Sequence, residues 1–395
     1  MNILNVCSNF DPVTGGGEAE RTFQMSKYLL VEGVNCRILT VDNGLNEQRK
    51  IALGDAMVIV LPCLLRRFYV PRVSLRYIQQ LVDEADVVHL IGHWTLLNAL
   101  VYWAIKRARK PYVVCPAGAL PIFGRSKIIK KIYNLIIGSK IVRDANMCIS
   151  ITDQEVDCFI SSGVPPEKVL VIPNGIADAD FTSCQVDNFR KKYSLGVRPF
   201  ILFVGRLNLI KGPDLLLRAF CNVINRIDNV DLVFVGPDGG LLQELESLAR
   251  ATGLENRVHF IGYLGGADKS DAYHAAELLV IPSRHEAMSI VALEAGICGT
   301  PVLLTDQCGF DQLQETGGGW VIPASVEGLE KGLVEILLRP ELIKLAGVNI
   351  KSYVAENFSW NTIVQAYMGM YVQLIAVSNG MSFAQTSTVD QRAGA

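Results

Sequence analysis

Short apolar runs that end in glycine or a polar residue recur along this chain and constrain its fold class more tightly than any other feature. After residue 200 they read FILFVG (200–205), DLVFVG (231–236), RVHFIG (257–262), LLVIPS (278–283) and PVLLTD (301–306). Strands of an all-parallel sheet are buried on both faces, so they appear as unbroken apolar runs rather than alternating ones. Helical periodicity fills the gaps, as over 212–227 and 241–251, which makes this half a βα repeat with helices on both faces of a sheet. The first half repeats the plan with ILNVCS, CRILTV, MVIVLP, DVVHLIG, YVVCPAG, MCISIT and VLVIPNG. A chain of 395 residues is too long for one core. Two Rossmann-like α/β domains follow. The stretch 174–199 loses the apolar rhythm and gains Asp, Thr, Ser and Asn, so the linker belongs there. Ligands of such domains bind at the carboxyl ends of the strands, here in a cleft between the two halves.

Half the residues are apolar, which excludes disorder for most of the chain. A net charge of −2 argues against a nucleic-acid binder. The charge is unevenly placed: between residues 60 and 145 there are fourteen Lys or Arg against four acids, a local balance of +10. Within that region GRSKIIKKIYNLIIGSKIVR (124–143) alternates cations with Ile, Leu and Tyr, which suits an amphipathic helix at an anionic membrane surface or a solvated basic face. The opening MNILNVCSNF lacks a basic region followed by a long apolar core, and no run reaches about 18 apolar residues. The reading is a cytoplasmic chain, peripheral at most on the inner leaflet. Ten cysteines without a CxxC pair read as reduced core residues rather than a disulfide frame or zinc site.

The most informative local pattern is SRHEAMSIVALEAG, where Glu286 and Glu294 are separated by seven residues just after the run AELLVIPS. A helix opening near Ala287 places the two carboxylates about 12 Å apart along its axis on one side, the length of a nucleotide sugar. The paired carboxylates of a retaining glycosidase must instead lie about 5 Å apart. Met288, Ser289 and Ile290 then present helix-terminal amides to an anion. In FVGRLNLIKGPDLLLRAF, Arg206 and Lys211 sit in the loop after the second half's first strand, placed to neutralise a diphosphate or simply to be surface cations. The loop NFDPVTGGGEAER after the first strand carries Gly15, Gly16 and Gly17, which fit a phosphate cradle or a plain mobile loop. The dinucleotide fingerprint GxGxxG is absent. Asp178-Ala179-Asp180 has the spacing of a metal-binding acid pair but reads as linker, and no other cluster has metal-ligand spacing. His93 and Trp94 follow DVVHLIG at a strand tip, where His93 is either a cleft residue or a structural histidine.

Taken together, GGGEAER, PNGI before the linker, VGRLNLIKG, the Glu286/Glu294 pair, ALEAGICGTPV and the terminal FSW helix resemble the family-4, group 1 retaining glycosyltransferases of GT-B fold. The resemblance spans nearly the whole chain. It implies an N-terminal acceptor-binding domain of residues 1–175 plus 359–377, with the last helix crossing back, and a nucleotide-sugar-binding domain of residues 196–358. Residues 176–195 are then the linker and 378–395 a mobile tail. Carried over by residue, Arg206 and Lys211 hold the diphosphate, Glu294 the ribose hydroxyls and Glu286 the sugar hydroxyls. Ala287 to Ile290 give backbone amides, Gly16 and Gly17 close over the phosphates, and the base is read near Tyr263. One position departs: CPAGAL has Ala117 where the family commonly carries a histidine, and His93 is the nearby candidate for its role. The implied activity is metal-independent transfer from a UDP- or GDP-linked sugar to a saccharide or lipid-linked acceptor. A GT-B-like nucleotide-sugar epimerase and a catalytically silent nucleotide-sugar-binding protein remain open alternatives.

Overall fold

The computed structural model describes residues 1–380 apart from 44–46, 55–56, 123–125, 228 and 311. The expected tail, 378–395, lies outside the described residues from 381 onward. The chain divides into two compact units, Met1–Asn174 with Trp360–Ala395, and Gly175–Ser359.

In the first unit, seven parallel strands lie in the order β3-β2-β1-β6-β7-β8-β9. They are β1 (Asn2–Cys7), β2 (Asn35–Val41), β3 (Val58–Leu61), β6 (Val87–Ile91), β7 (Tyr112–Cys115), β8 (Met147–Ser150) and β9 (Val169–Val171). Each of the first half's apolar runs becomes one of these strands. A separate antiparallel pair, β4 (Cys63–Leu65) and β5 (Val70–Pro71), leaves the sheet after β3. The chain winds outward from β1 one way and from β6 the other, so the β1/β6 neighbours mark a topological switch point.

The Trp360–Ser378 helix packs on the Gly16–Val31 helix of the same unit. Arg21 is the buried link: its guanidinium donates to Tyr367 Oη (2.5 Å), to Ile172 O (2.8 Å) and to Asn174 Oδ1 (2.7 Å). His89 on β6 meets Tyr371 Oη at 2.8 Å. Burial, then the Arg21 charge, push the His89 imidazole down to about 3, so it is neutral.

In the second unit, six parallel strands lie in the order β12-β11-β10-β13-β14-β15. They are β10 (Phe200–Val204), β11 (Asp231–Val235), β12 (Val258–Gly262), β13 (Leu278–Ile281), β14 (Val302–Thr305) and β15 (Gly319–Ile322). The switch point is β10/β13. The five runs read from sequence are all strands, and β15 is the addition. The stretch 176–195, read as a linker, is folded: a 3-10 turn over Asp178–Phe181 and a helix over Val186–Lys192. Ser183 Oγ (2.8 Å) and Gln185 N (2.7 Å) both donate to Asp271 Oδ1, which fixes the stretch to the Gly266–Ala275 helix.

Candidate functional site

The loops leaving β10 and β13 at the second unit's switch point are tied together, and they carry the residues that sequence singled out. Gly212 has φ +71°, and a Cβ there would stand 2.0 Å from Pro282 O, so only glycine lets the two loops approach this closely. Arg284 bridges the same pair of loops: its backbone N donates to Ile210 O (2.8 Å), and its guanidinium donates to Leu209 O (2.6 Å) and grips Asp214 with two bonds of 2.8 and 2.6 Å. Lys211 Nζ then reaches Glu286 Oε1 at 2.7 Å, and Ser283 Oγ donates to Glu286 Oε2 at 3.0 Å. From the other side Glu286 N donates to Gln307 O (2.9 Å), and Gly309 lies where any Cβ would be 1.8 Å from Ala287 O. Burial first, and Glu286 next, push the nearby Cys308 thiol up to about 12, so it is no thiolate nucleophile.

The helix after this loop begins later than sequence suggested. It spans Ile290–Cys298 with Ser289 at its N-cap, so Glu286 is in irregular backbone and only Glu294 is helical. The expectation of two carboxylates set about 12 Å apart on a single helix is therefore corrected. Residues Ala287 to Ser289 are loop because the chain is held in close contact with Gly309 there and because Glu286 is bonded to its neighbours on both sides. The Ser289 hydroxyl caps no backbone amide and, among the described residues, is buried without a hydrogen-bond partner. A helix start without a side-chain cap and with an orphaned buried hydroxyl suits an anion. Glu294 is buried, accepting from Lys269 Nζ (2.6 Å) and Tyr273 Oη (2.6 Å). Arg206 is exposed two residues beyond β10, and Tyr263 is exposed directly after β12. Arg206, Lys211, Tyr263, Glu286 and Ala287 to Ser289 thus lie in the loops that leave the carboxyl ends of β10, β12 and β13, while Ile290 opens and Glu294 lies within the helix that follows β13. Sequence reasoning missed Ser283, Arg284, Asp214, Lys269 and Tyr273. Asp214 had a signal, since KGPD places it at a helix start.

In the first unit, Asp11 orders the glycine loop: its Oδ1 accepts from Val13 N (3.0 Å), Thr14 N (2.7 Å) and Thr14 Oγ1 (3.0 Å). Gly16 and Gly17 are exposed and open the Gly16–Val31 helix, whose N-cap has no side-chain partner. Gly92 N donates to Cys115 O at 2.9 Å, so His93 and Ala117 leave adjacent strand ends. His93 is buried, pairs through Nε2 with Asn134 Oδ1 (3.0 Å) and meets Trp94 and Tyr133 edge-on. Burial lowers its affinity for a proton, so the ring acts as a neutral hydrogen-bonding group. Ala117 has φ +50°, an unusual backbone for a residue with a Cβ. Asp178 and Asp180 are exposed on a 3-10 turn, and among the described residues no group of three His, Cys, Asp or Glu is arranged to hold a metal.

Two Rossmann-like units with these strand-end loops define a GT-B glycosyltransferase fold. The crystal structure of Anabaena HepE in complex with UDP and glucose superposes with a TM-score of 0.78 at 20% identity, covering 94% of this chain and 99% of HepE. WaaG, a glycosyltransferase involved in lipopolysaccharide biosynthesis, gives 0.69 at 20% identity over 96% of this chain and 100% of WaaG. Residues 16–175 match the family described as glycosyl transferase 4-like domain, and residues 185–352 match glycosyl transferases group 1. The chain belongs to the group 1 glycosyltransferases. A D-inositol 3-phosphate glycosyltransferase of Actinosynnema mirum is 29% identical over 320 residues, which is 74% of this chain and 75% of the relative. An uncharacterized glycosyltransferase of Methanocaldococcus jannaschii is 34% identical over 216 residues, 52% of this chain and 54% of that protein.

Proposed function

We propose that this protein transfers a sugar, with retention of anomeric configuration and without a metal, from a UDP- or GDP-linked donor to a hydroxyl of a lipid-linked saccharide in envelope polysaccharide assembly. The observation that carries the donor half is the joining of Lys211, Glu286 and an uncapped helix start at the β10/β13 switch point. Arg206, Lys211 and the helix amides neutralise the diphosphate as its charge grows, and Glu286 and Glu294 accept hydrogen bonds from sugar and ribose hydroxyls. The anomeric carbon's bond to the diphosphate oxygen breaks as its bond to the acceptor oxygen forms on the same face, and the leaving diphosphate oxygen takes the acceptor proton. The acceptor belongs to the first unit, with Gly16 and Gly17 serving the phosphates and His93 supplying the positioning role left open at Ala117.

The membrane half of the reading rests on Lys127–Tyr133, the π-helical turn Asn134–Gly138 and Ser139–Arg143, which form one continuous helical stretch. Ile128, Ile129, Ile132, Leu135 and Ile136 are all exposed on it, Leu135 at 84%, among Lys127, Lys130 and Lys131. No helix among the described residues is long and apolar enough to cross a membrane. Such a stretch suits peripheral attachment to the anionic cytoplasmic leaflet.

The test is a panel of UDP- and GDP-linked sugars, incubated in chelator with and without vesicles carrying lipid-linked saccharides. The proposal expects one donor to be consumed only when acceptor is present. Isomerised nucleotide sugar without acceptor would make the protein an epimerase, binding without turnover a silent one, and activity restored only by manganese or magnesium would overturn the metal-free chemistry.

A further inference from the structure

The β4–β5 hairpin presents an apolar tip on a fixed base. Its base is anchored: Pro71 is buried, Arg72 N donates to Pro62 O (2.7 Å), and Tyr69 Oη accepts from Asn9 Nδ2 (3.1 Å). Cys63 and Val73 pack against the first unit's core. Between these anchors a 3-10 turn over Arg66–Phe68, closed by Tyr69 in the left-handed conformation, pushes Leu64, Leu65 and Phe68 into the open at 64%, 50% and 43% exposure. Arg66 and Arg67 are exposed beside them, and Arg67 lies over the Phe68 ring at 5.4 Å. Neither arginine forms an ion pair among the described residues. Three large apolar side chains within five residues, interleaved with unpaired cations, go beyond the single exposed apolar residues of an ordinary surface.

The hairpin also shares a layer with the basic helical stretch. Connections from β3 onward to β9 run across the sheet opposite to those from β1 to β3, and right-handed crossovers put the two sets on opposite faces. The hairpin, the Leu75–Asp83 and Leu96–Ala108 helices and the 127–143 stretch therefore lie on one face, and Val73, Tyr133 and Ile137 pack on the same core cluster beneath it. Leu75, Leu96 and Trp103 are further exposed apolar side chains of that layer.

We propose that the hairpin is a second membrane-contact element, with Leu64, Leu65 and Phe68 entering the acyl boundary of an anionic bilayer while Arg66 and Arg67 meet lipid phosphates. The inference rests on the membrane reading above and adds an element distant in sequence from the helical stretch. A peripheral protein held at two points on one face is oriented as well as bound, which a single amphipathic helix does not accomplish. The charge favours an anionic lipid surface over a second copy of this chain, whose matching face would bring like charges together.

Co-sedimentation with phosphatidylglycerol-containing and pure phosphatidylcholine vesicles at low salt tests this on the full chain. The proteins compared are the wild type, a hairpin variant (Leu64→Ser, Leu65→Ser, Phe68→Ser), a helix variant (Lys127→Glu, Lys130→Glu, Lys131→Glu) and the control Val197→Ser in the other unit. The hairpin variant is expected to bind anionic vesicles about tenfold or more weakly, since it loses most of three buried apolar side chains, with the control unchanged. Arg66→Glu with Arg67→Glu, which spares the apolar residues, is expected to weaken binding too and stands in should the serine variant unfold. If the wild type ignores anionic vesicles, the membrane reading and this inference both fail. If only the helix variant loses binding, the membrane reading stands and the hairpin inference is wrong. A vesicle-free dimer that the hairpin variant abolishes, seen by sedimentation velocity, would instead assign the tip to a second copy.

Discussion

Lys211 and Glu286 neutralise each other across 2.7 Å, so under the proposed roles a donor's phosphates and sugar hydroxyls would take over two ends of an existing ion pair. That arrangement separates the roles of the two glutamates. Glu286→Gln is expected to cut transfer by about 100-fold or more while nucleoside diphosphate still binds, as for loss of a positioned catalytic group. Glu294→Gln is expected to weaken nucleotide binding itself. Calorimetry of both variants with donor and with free nucleotide decides the matter, and equal losses for both ligands in both variants would contradict these roles. Arg206→Ala and Lys211→Ala should each lower turnover more than affinity, because diphosphate charge grows toward the transition state. The rate and binding constants of the two variants show whether the losses fall that way. Arg206, Lys211 and Glu286 were legible as candidates because a charge in a strand-end loop shows in the sequence, and Glu294 because of its spacing from Glu286. Arg284 and Asp214 were not, because they pair across 70 residues, nor was the Tyr273–Glu294 contact across 21. No local pattern encodes such partners.

At the level of elements, the sheets were legible and the loops were not. Buried parallel strands write themselves as apolar runs, but β15 (Gly319–Ile322) follows Gly317 and Gly318, and glycine hides a strand that is nonetheless paired with β14 over its full length. The late helix start at Ile290 was hidden for a different reason. The contacts that keep Glu286 and Ala287 out of the helix come from Gln307 and Gly309, on another loop. The Arg284–Asp214 clamp makes the loop geometry testable. Its arginine is about one-third exposed, so screening holds its stability contribution to about 1–2 kcal/mol. Arg284→Ala should therefore cost about that much stability and lower turnover severalfold beyond it by freeing the Lys211 loop, with Arg284→Lys restoring part of the turnover. Turnover and melting temperature measured together check this, and parallel losses in both would reduce the clamp to a structural contact.

Across the whole molecule, each unit has its own switch point, at β1/β6 and at β10/β13, and the candidate donor residues gather at the second. The terminal helix belongs to the first unit although the whole second unit precedes it in sequence, and the resemblance implied that return where periodicity alone could not. Its docking carries a pH signature. His89 titrates near 3 when folded and near its ordinary 6.5 when unfolded, so the unfolded chain binds the extra proton. The stability involved is present above about pH 6.5 and is lost at about 1.4 kcal/mol per pH unit as pH falls toward 3. His89→Gln, which cannot protonate, should lose less stability than the wild type between pH 7 and pH 4 in thermal melts. Hydrogen exchange with saturating UDP or GDP, in the presence of chelator, tests the central claim most directly. The account predicts that the nucleotide that binds slows exchange over 206–212 and 283–290 of the second unit, and stoichiometric binding that leaves both loops unprotected would contradict it.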